Sequence, residues 1–484
     1  MEKLKVGLIG SSQLSFPGDV ETQFARSVKE LETLAKKLDF ELWVYPSTVI
    51  TEDDARTAAA AAKEANVDFL LAQCTSFSAG AIAPVYARTG IRLGLWAIPE
   101  GTKSGAVPFN SFCGINMYGA IIGHYLKDWN VPVKWFYGNA EDELFAQRFA
   151  VTIHALSAIK LVNTSKVALI GGIAPGFDDL YFDERKLLRR FDGLRINRLH
   201  EFDEIAGRAL SYSDTDIRVE MQAQEPLRAG AHATALELLD VNARVYKAFR
   251  DFVHEHNYEA LAVSCWPKFQ QAFPLPFSVC DVVARLNDDG IVTSCEGDLP
   301  SAVSMLLLHG MAKDATMLMD LSAFDEEDDS VLFWHCGPAA KRFARQNGYT
   351  LGVNYSGTPH EKGEDLMNAS GSGVAREMEF DKGHATVARV SGEFDKFFLA
   401  DGDFLGAGKP SWHGSRGWMG SLRVKRRPVG AREFINTILA HQFQHHFPIV
   451  SGDFTREIME AAAWLGMGVL DAVPYEDYLQ HPGL

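Results

Sequence analysis

Four short apolar runs in the middle of the chain decide the fold: Ala260-Leu261-Ala262-Val263-Ser264-Cys265-Trp266-Pro267, Ile291-Val292-Thr293-Ser294-Cys295-Glu296, Ala315-Thr316-Met317-Leu318-Met319-Asp320 and Ser330-Val331-Leu332-Phe333-Trp334-His335. Continuous apolar runs of this length are typical of strands that are buried on both faces of a parallel sheet. In open α/β sheets, ligands bind beyond the carboxyl ends of the strands. We therefore expect Glu296, Asp320 and His335 to converge on one crevice.

Two carboxylates and one imidazole form a ligand set for a divalent cation, which indicates a metal-assisted enzyme. Each residue also has a simpler explanation. Glu296 could cap the helix predicted over 301–310, although Asp298 fits that capping role better. Asp320 could bind backbone amides at the start of a loop, and His335 could be a buried structural histidine. The acidic run 325–329 is interpreted as a solvated loop.

The composition restricts the class of protein. A chain of 484 residues is too long for a single core, and its 47% hydrophobic and 23% charged residues are typical of a globular protein. The net charge of −16 argues against a nucleic-acid partner. The six cysteines form no CxxC pair, which predicts buried free thiols in a reducing compartment. Without a signal-peptide pattern or a membrane-length apolar run, we expect a cytoplasmic protein with no membrane partner.

The order of patterns along the chain predicts three domains. Residues 1–165 alternate strand and helix patterns, with helices at 20–38 and 51–65, and this alternation predicts a doubly wound parallel sheet. Residues 166–345 form a second doubly wound α/β domain, which carries the carboxylates. Residues 346–484 contain antiparallel strand patterns at 385–390 and 397–399 and helical spacing at 431–440 and 455–466. They form a C-terminal domain with a β core.

The C-terminal domain adds the pair His445-His446, which precedes an apolar strand-like segment. One ring of such a pair can ligate a metal ion. The alternative is an exposed helix end with no ligand.

Several stretches of the chain together resemble one known family. They are Ser264-Cys265-Trp266-Pro267, the run 294–302, Asp320-Leu321, His335-Cys336-Gly337, His445-His446 with Ser451-Gly452-Asp453, and the segments 73–78 and 109–112 of the first domain. With these features the chain resembles the L-fucose isomerase and L-arabinose isomerase superfamily, whose members are metal-dependent aldose–ketose isomerases.

The resemblance implies a set of roles. Glu296, Asp320 and His446 would ligate Mn²⁺ or Mg²⁺, and the carboxylates of Glu296 and Asp320 would move a proton between C1 and C2 of a sugar through a cis-enediolate. His335 lies near the position of a further histidine in arabinose isomerases, and we expect it to contact substrate instead. The resemblance also implies a homo-oligomer in which the first domain of a neighbour closes the pocket.

The sugar itself is not specified by the sequence. Trp266, Trp412 and Trp418 are candidates for lining the sugar pocket, although tryptophans in glycine-rich loops also serve in packing alone. A charged sugar would fit if Arg416, Arg423 or Lys425 reaches the site. Two other classes stay open, namely a metal-dependent epimerase or aldolase acting on a sugar derivative and a non-catalytic sugar-binding protein.

Overall fold

The computed structural model describes residues 2–200, 202–229, 234–265, 269, 273, 277–354 and 373–480. The chain separates into two compact units, Met1–Ser157 and Ala158–Leu484. Within the described ranges the strands form three sheets, one in the first unit and two in the second. The division into three domains, with boundaries after residues 165 and 345, stays a prediction.

The first unit is built on a five-stranded parallel sheet with the order β2-β1-β3-β4-β5. Its strands are β1 (Lys5–Ser11), β2 (Glu41–Val44), β3 (Phe69–Cys74), β4 (Arg92–Ala97) and β5 (Val133–Tyr137). Its helices are α1 (Val20–Leu38), α2 (Glu52–Glu64), α3 (Ile82–Ala87) and α4 (Ser111–Ala120), with short helical turns at Ile121–Tyr125 and Lys127–Trp129. The helix α5 (Glu143–Thr164) begins in the first unit, and its residues from Ala158 onward belong to the second. The predicted parallel α/β sheet is confirmed, whereas its doubly wound detail stays a prediction.

Side-chain caps fix where the first two helices begin. Asp19 accepts a hydrogen bond from the backbone N–H of Thr22 at 3.0 Å, and Thr51 and Asp54 form a reciprocal capping box. These bonds satisfy N–H groups that the first turn of a helix leaves unpaired. The helices predicted over 20–38 and 51–65 are confirmed as α1 and α2.

The second unit contains a four-stranded parallel sheet with the order β7-β6-β8-β9. Its strands are β6 (Lys166–Ile170), β7 (Arg195–Asn197), β8 (Ala260–Val263) and β9 (Val292–Ser294). The accompanying helices are α6 (Glu184–Arg190), α7 (Phe202–Ser211), α8 (Asp214–Gln224), α9 (Leu236–His256), α10 (Cys280–Asp288) and α11 (Leu299–Ala312), with short turns at Asp178–Leu180 and Glu225–Leu227. Every residue of β8 and β9 is buried, as expected for the first two apolar runs.

The rest of the second unit forms a ten-stranded sheet with the order β12-β13-β16-β11-β10-β18-β14-β15-β19, and β17 pairs with β16. The strands are β10 (Thr316–Asp325), β11 (Ser330–His335), β12 (Thr350–Val353), β13 (Val374–Glu379), β14 (Gly383–Val390), β15 (Lys396–Phe404), β16 (Ser415–Val424), β17 (Arg427–Pro428), β18 (His446–Ser451) and β19 (Gly468–Val469). The helices α12 (Ala431–Ala440) and α13 (Thr455–Leu465) and the short turn Lys341–Ala344 complete this part.

A further pairing between β15 and β16 closes part of this sheet on itself. The strands β16, β11, β10, β18, β14 and β15 pair in sequence and form a closed antiparallel ring. Alternate residues along these strands, such as Met317, Phe333, Val387 and Phe398, are fully buried in one shared apolar core. The core therefore follows the two-residue period of the strands.

The third and fourth apolar runs do not belong to the parallel sheet, so that prediction is wrong. They form the antiparallel hairpin of β10 and β11, in which Asp320 pairs with Trp334. The connection spans only residues 326–329, whereas parallel strands need a crossover of a dozen or more residues. Asp320 therefore lies in the middle of β10 and not at a carboxyl end, and it shares no sheet with Glu296.

The predicted C-terminal elements are observed. The segments 385–390 and 397–399 lie in the antiparallel pair β14 and β15, and the two helical patterns are α12 and α13. All six cysteines are free; Cys74, Cys280 and Cys295 are buried, and Cys113 is exposed. None of the described helices is long and apolar enough to cross a membrane.

Candidate active site

Glu296 follows β9 in a turn with an unusual backbone. Its φ is 60°, in the left-handed region, and the next residue, Gly297, has a φ of 74°. A Cβ atom on Gly297 would lie 2.1 Å from the carbonyl oxygen of Gly172, so only glycine fits at that position. The left-handed conformation costs a non-glycine residue about 1–2 kcal/mol. Such strain is concentrated at functional sites, which makes Glu296 a candidate residue.

Asp320 and His446 lie opposite each other on neighbouring strands. They are direct partners in the antiparallel pairing of β10 and β18. The His446 side chain is fully buried, whereas that of Asp320 is 30% exposed. His335 ends β11, the strand on the other side of β10, and its ring centroid lies 5.9 Å from that of His446. Strand register in the antiparallel ring brings these residues together.

The side-chain oxygen and nitrogen atoms that could ligate a cation cluster around His446. Its Nε2 lies 3.1 Å from Oε2 of Glu296 and 3.6 Å from Oδ1 of Asp320. One donor atom each from Glu296, His335 and His446 lie within 4.8 Å of one another, and the same holds for Asp320, His445 and His446. The structure thus brings the predicted residues Glu296, Asp320, His335 and His446 into one site.

Four buried atoms of this cluster make no hydrogen bond of good geometry: Oε2 of Glu296, Oδ1 of Asp320, Nε2 of His335 and Nε2 of His446. Oε2 of Glu296 and Nε2 of His446 are close enough for an ion pair, at 3.1 Å. An unsatisfied buried polar group costs about 1–3 kcal/mol, and native proteins contain few of them. Two carboxylate oxygens and two imidazole nitrogens are donors that could hold a divalent cation.

The other ring nitrogen of His446 contacts Asp298, which the sequence analysis considered only as a helix cap. Nδ1 of His446 lies 2.8 Å from Oδ2 of Asp298. Asp298 also accepts the backbone N–H of Ser301 at 2.9 Å, so its capping role is confirmed. Arg389 donates to the same carboxylate, with Nη1 2.6 Å from Oδ2. The sequence analysis missed Arg389, and its position inside the apolar strand pattern 385–390 is the signal that could have indicated a buried ion pair.

His445 links the site to the loop that follows β6. Its Nε2 lies 3.6 Å from Oε2 of Glu296, and its Nδ1 lies 2.8 Å from Oδ2 of Asp179. The ring also stacks on Phe177, with 5.8 Å between the ring centroids. The sequence analysis named the histidine pair but assigned no use to His445, and no sequence signal pointed to Asp179.

Burial and neighbouring charges shift the pKa values of the cluster in opposite directions. Burial raises the pKa of Glu296, but the imidazoles of His445 and His446 outweigh this effect and hold the pKa at about 2. Burial lowers the pKa of His446, whereas the carboxylates of Asp298 and Glu296 raise it, to about 10. Burial lowers the pKa of His335 more than the nearby carboxylates raise it. Near neutral pH, Glu296 is therefore ionised and His335 is neutral, and both forms can ligate a cation. His446 is an imidazolium without a cation, and its Nε2 loses the proton when a cation binds there.

Trp412 and the three cations considered for a charged sugar do not join the cluster. Trp266 lies outside the described residues. Trp412 lies in the loop before β16 and is 58% exposed. The three cations considered for a charged sugar are all ion-paired: Arg416 with Glu377 at 3.1 Å, Arg423 with Asp401 at 2.9 Å and Lys425 with Asp471 at 2.8 Å. Each of these three side chains thus forms an ion pair with a carboxylate outside the cluster.

Comparison with known proteins places the chain among enzymes. No family model matches it. Curated proteins of 24–27% sequence identity align along most of the chain, and each of them is an isomerase. The chain is accordingly an enzyme of the isomerase class.

These relatives are named sulfoquinovose isomerase. The protein of Priestia megaterium is 25% identical over 381 residues, which cover 77% of this chain and 78% of the relative. That of Alkalicoccus urumqiensis is 24% identical over 418 residues, with coverages of 84% and 86%. That of Clostridium sp. (strain MSTE9) is 27% identical over 349 residues, with coverages of 71% and 72%.

Comparison with solved structures provides no evidence about the fold or the site. A solute-binding protein from Agrobacterium vitis, bound with alpha-D-tagatopyranose, aligns with 64% of this chain and 90% of its own. The identity is 11% and the TM-score is 0.19, which is too low to support a shared fold or site.

Proposed function

We propose that the chain is a metal-dependent aldose–ketose isomerase that acts on a monosaccharide. The observation that carries the proposal is the convergence of four buried ligand atoms, on Glu296, Asp320, His335 and His446, that make no well-formed hydrogen bond. The isomerase relatives give independent support for the reaction class. They also favour an enzyme over the alternative of a non-catalytic sugar-binding protein.

The residues present fit a divalent cation. Glu296, Asp320 and His446 would hold Mn²⁺ or Mg²⁺, because a site rich in carboxylates with one imidazole suits these ions. When bound, the cation would polarise the sugar carbonyl and stabilise the negative charge that develops on the two substrate oxygens. His335 brings a neutral imidazole to the same cluster. We assign it to a substrate oxygen.

The carboxylate side chains of the protein would transfer the proton between the two carbon atoms. Aldose-to-ketose conversion moves one proton from C2 to C1 through a cis-enediolate and one hydroxyl proton from O2 to O1. A carboxylate beside the two carbons can remove the carbon-bound proton and return it. Glu296 is 13% exposed and Asp320 is 30% exposed. The substrate would therefore approach from the side of Asp320, while Glu296 is better shielded from water. Shielding favours return of the same proton over its loss to solvent.

The relatives' name makes a sulfo-sugar our first candidate substrate. Such a substrate needs a cation, and Arg416, Arg423 and Lys425 are each paired with a carboxylate. We therefore propose no residue for the anionic group. Sulfoquinovose and uncharged aldoses belong in the same assay.

The test is a sugar panel incubated with the protein and Mn²⁺ in D₂O. We expect one aldose to give its ketose, with deuterium at C1 or C2 wherever the transferred proton exchanges with solvent. NMR analysis of the product separates isomerisation from the alternatives, because an epimerase gives a second aldose and an aldolase gives two fragments. Conversion that is unaffected by a chelator would refute the metal-dependent part of the proposal.

A further inference from the structure

A fully buried charge network lies behind His446. Asp298, Arg389 and His446 each have a side chain with 0% exposure. Three different elements supply them, since Asp298 precedes α11, Arg389 lies on β14 and His446 begins β18. The network joins the end of the parallel sheet to the antiparallel ring within the second unit.

Helix capping does not account for this network. A cap needs one acceptor, and Oδ1 of Asp298 supplies it to the backbone N–H of Ser301. The other oxygen, Oδ2, accepts from Nη1 of Arg389 at 2.6 Å and lies 2.8 Å from Nδ1 of His446. Arg389 also donates to the Ser301 hydroxyl and to the carbonyl oxygen of His446. Replacement of a buried ion pair by apolar residues is often neutral or stabilising, so stability alone is a weak reason for its presence.

The geometry of the carboxylate specifies which nitrogen of His446 carries a proton. An ionised carboxylate only accepts hydrogen bonds, so the nitrogen that faces Asp298 must donate. Nδ1 is therefore protonated, and Nε2 is the nitrogen that lies beside Glu296 and Asp320. A metal-ligating histidine commonly donates its other N–H to a carboxylate in this way, which fixes the ring orientation and the tautomer.

We infer that Asp298, held in place by Arg389, is a positioning residue that keeps the His446 imidazole protonated at Nδ1 with Nε2 directed at Glu296 and Asp320. The inference rests on the proposed function in that Nε2 would ligate the cation. The placement of the proton on Nδ1 does not depend on that role.

The variant Asp298→Asn tests the inference with little change in volume. Oδ1 of residue 298 accepts from Ser301 and from Nη2 of Arg389, the latter at 3.3 Å. The amide oxygen of the variant is therefore expected in this position, where it preserves the cap. The amide NH₂ then faces Nδ1 of His446 and donates to it, which removes the proton from Nδ1 and leaves the imidazole proton on Nε2. Asn is as good a helix cap as Asp, but the change also breaks the buried ion pair with Arg389. Circular dichroism therefore checks that the variant is folded. If it is not, the ¹⁵N spectrum of the wild type decides alone, because a His446 without a proton on Nδ1 overturns the inference.

Two measurements read out this change. The first is the ¹⁵N spectrum of histidine-labelled protein with and without Mg²⁺, in which a His446→Gln variant assigns the His446 signals. We expect Nδ1 to carry a proton in the wild type, with or without Mg²⁺, and to lose it in Asp298→Asn. The second is the Mn²⁺ affinity by titration calorimetry, which we expect to fall about 10–100-fold, as is typical when such an outer partner of a metal ligand is changed. The matched control is Asp19→Asn, which alters the cap of α1 in the first unit and should change neither quantity.

The outcomes separate this inference from the proposed function. If the wild type binds no Mn²⁺, the metal-dependent function fails, and the ¹⁵N spectrum of the metal-free protein still decides whether Asp298 places the proton. If the wild type binds Mn²⁺ but Asp298→Asn shows the same affinity and the same protonated nitrogen, the positioning role is overturned. A loss of affinity with an unchanged tautomer would also overturn it, because the effect would then be one of charge alone.

Discussion

The substitution Glu296→Gln separates the two roles that we propose for this residue. The backbone of the turn is held by bonds that the side chain does not make, from Ala174 N–H to the Glu296 carbonyl at 2.9 Å and from Gly297 N–H to the Val263 carbonyl at 3.0 Å. Folding should therefore persist. The change removes a negative charge 3.1 Å from Nε2 of His446 and leaves no carboxylate to accept a proton.

The expected loss of turnover follows from the loss of the carboxylate that accepts the proton. General acid–base groups contribute at least about 10²-fold to the rate, which equals about 2.7 kcal/mol of activation free energy at about 1.36 kcal/mol per factor of ten. The weakened cation binding is a separate loss, and it should disappear at saturating Mn²⁺. We therefore expect Glu296→Gln to remain about 10²-fold slower than the wild type when turnover is measured at saturating Mn²⁺.

The assay measures turnover and deuterium exchange at C2 across a titration of Mn²⁺. Glu327→Gln is the matched control, because it makes the same chemical change in the exposed hairpin turn between β10 and β11. Wild-type turnover of Glu296→Gln at saturating Mn²⁺ would show that the residue is a ligand only. That result would refute its role in proton transfer.

Three further predictions follow from the site. His446→Ala should lower Mn²⁺ affinity sharply, whereas His335→Ala should mainly raise KM or lower kcat with the metal still bound; calorimetry and kinetics on both variants decide this, and equal loss of metal would make His335 a direct ligand. Dialysis against a chelator should abolish turnover, and added Mn²⁺ should restore it, while restoration by buffer alone would contradict metal dependence. Gly297→Ala should lower the free energy of unfolding by more than about 1 kcal/mol, because φ is positive and the new Cβ would meet the Gly172 carbonyl; an unchanged denaturation midpoint would show that the turn relaxes.

Local patterns in the sequence were sufficient to predict much of the fold. The helical spacing of α1 and the capping box of α2 act within a few residues, and the structure places both helices where the patterns predict them. The apolar runs were correctly identified as buried strands. The strands with which the third and fourth runs pair were not predicted correctly. Strands are buried on both faces in a parallel sheet and equally in an antiparallel ring that helices cover, so burial does not distinguish the two arrangements. The run Asp325–Asp329 held the missing signal, since so short a polar connection between two strands permits only a hairpin.

For the candidate site, the sequence likewise predicted the residues but not the contacts that bring them together. Glu296, Asp320 and His446 do converge, yet the expected reason was wrong, because Asp320 and His446 meet through antiparallel register and not through shared strand ends. The contact of Asp298 with Arg389 joins residues far apart in the sequence. Nothing in the local pattern around either residue specifies its partner, so only the folded chain reveals this pair.

The closure of the antiparallel ring has a consequence for how this chain tolerates insertions and deletions. In a closed set of strands the stagger between neighbours sums to a fixed shear, so one strand cannot slip without a compensating slip elsewhere. A one-residue slip would also turn every side chain of that strand to the opposite face. Single-residue indels inside β10 or β18 would therefore take Asp320 and His446 out of alignment, whereas length changes in the loop before β16 leave the alignment intact.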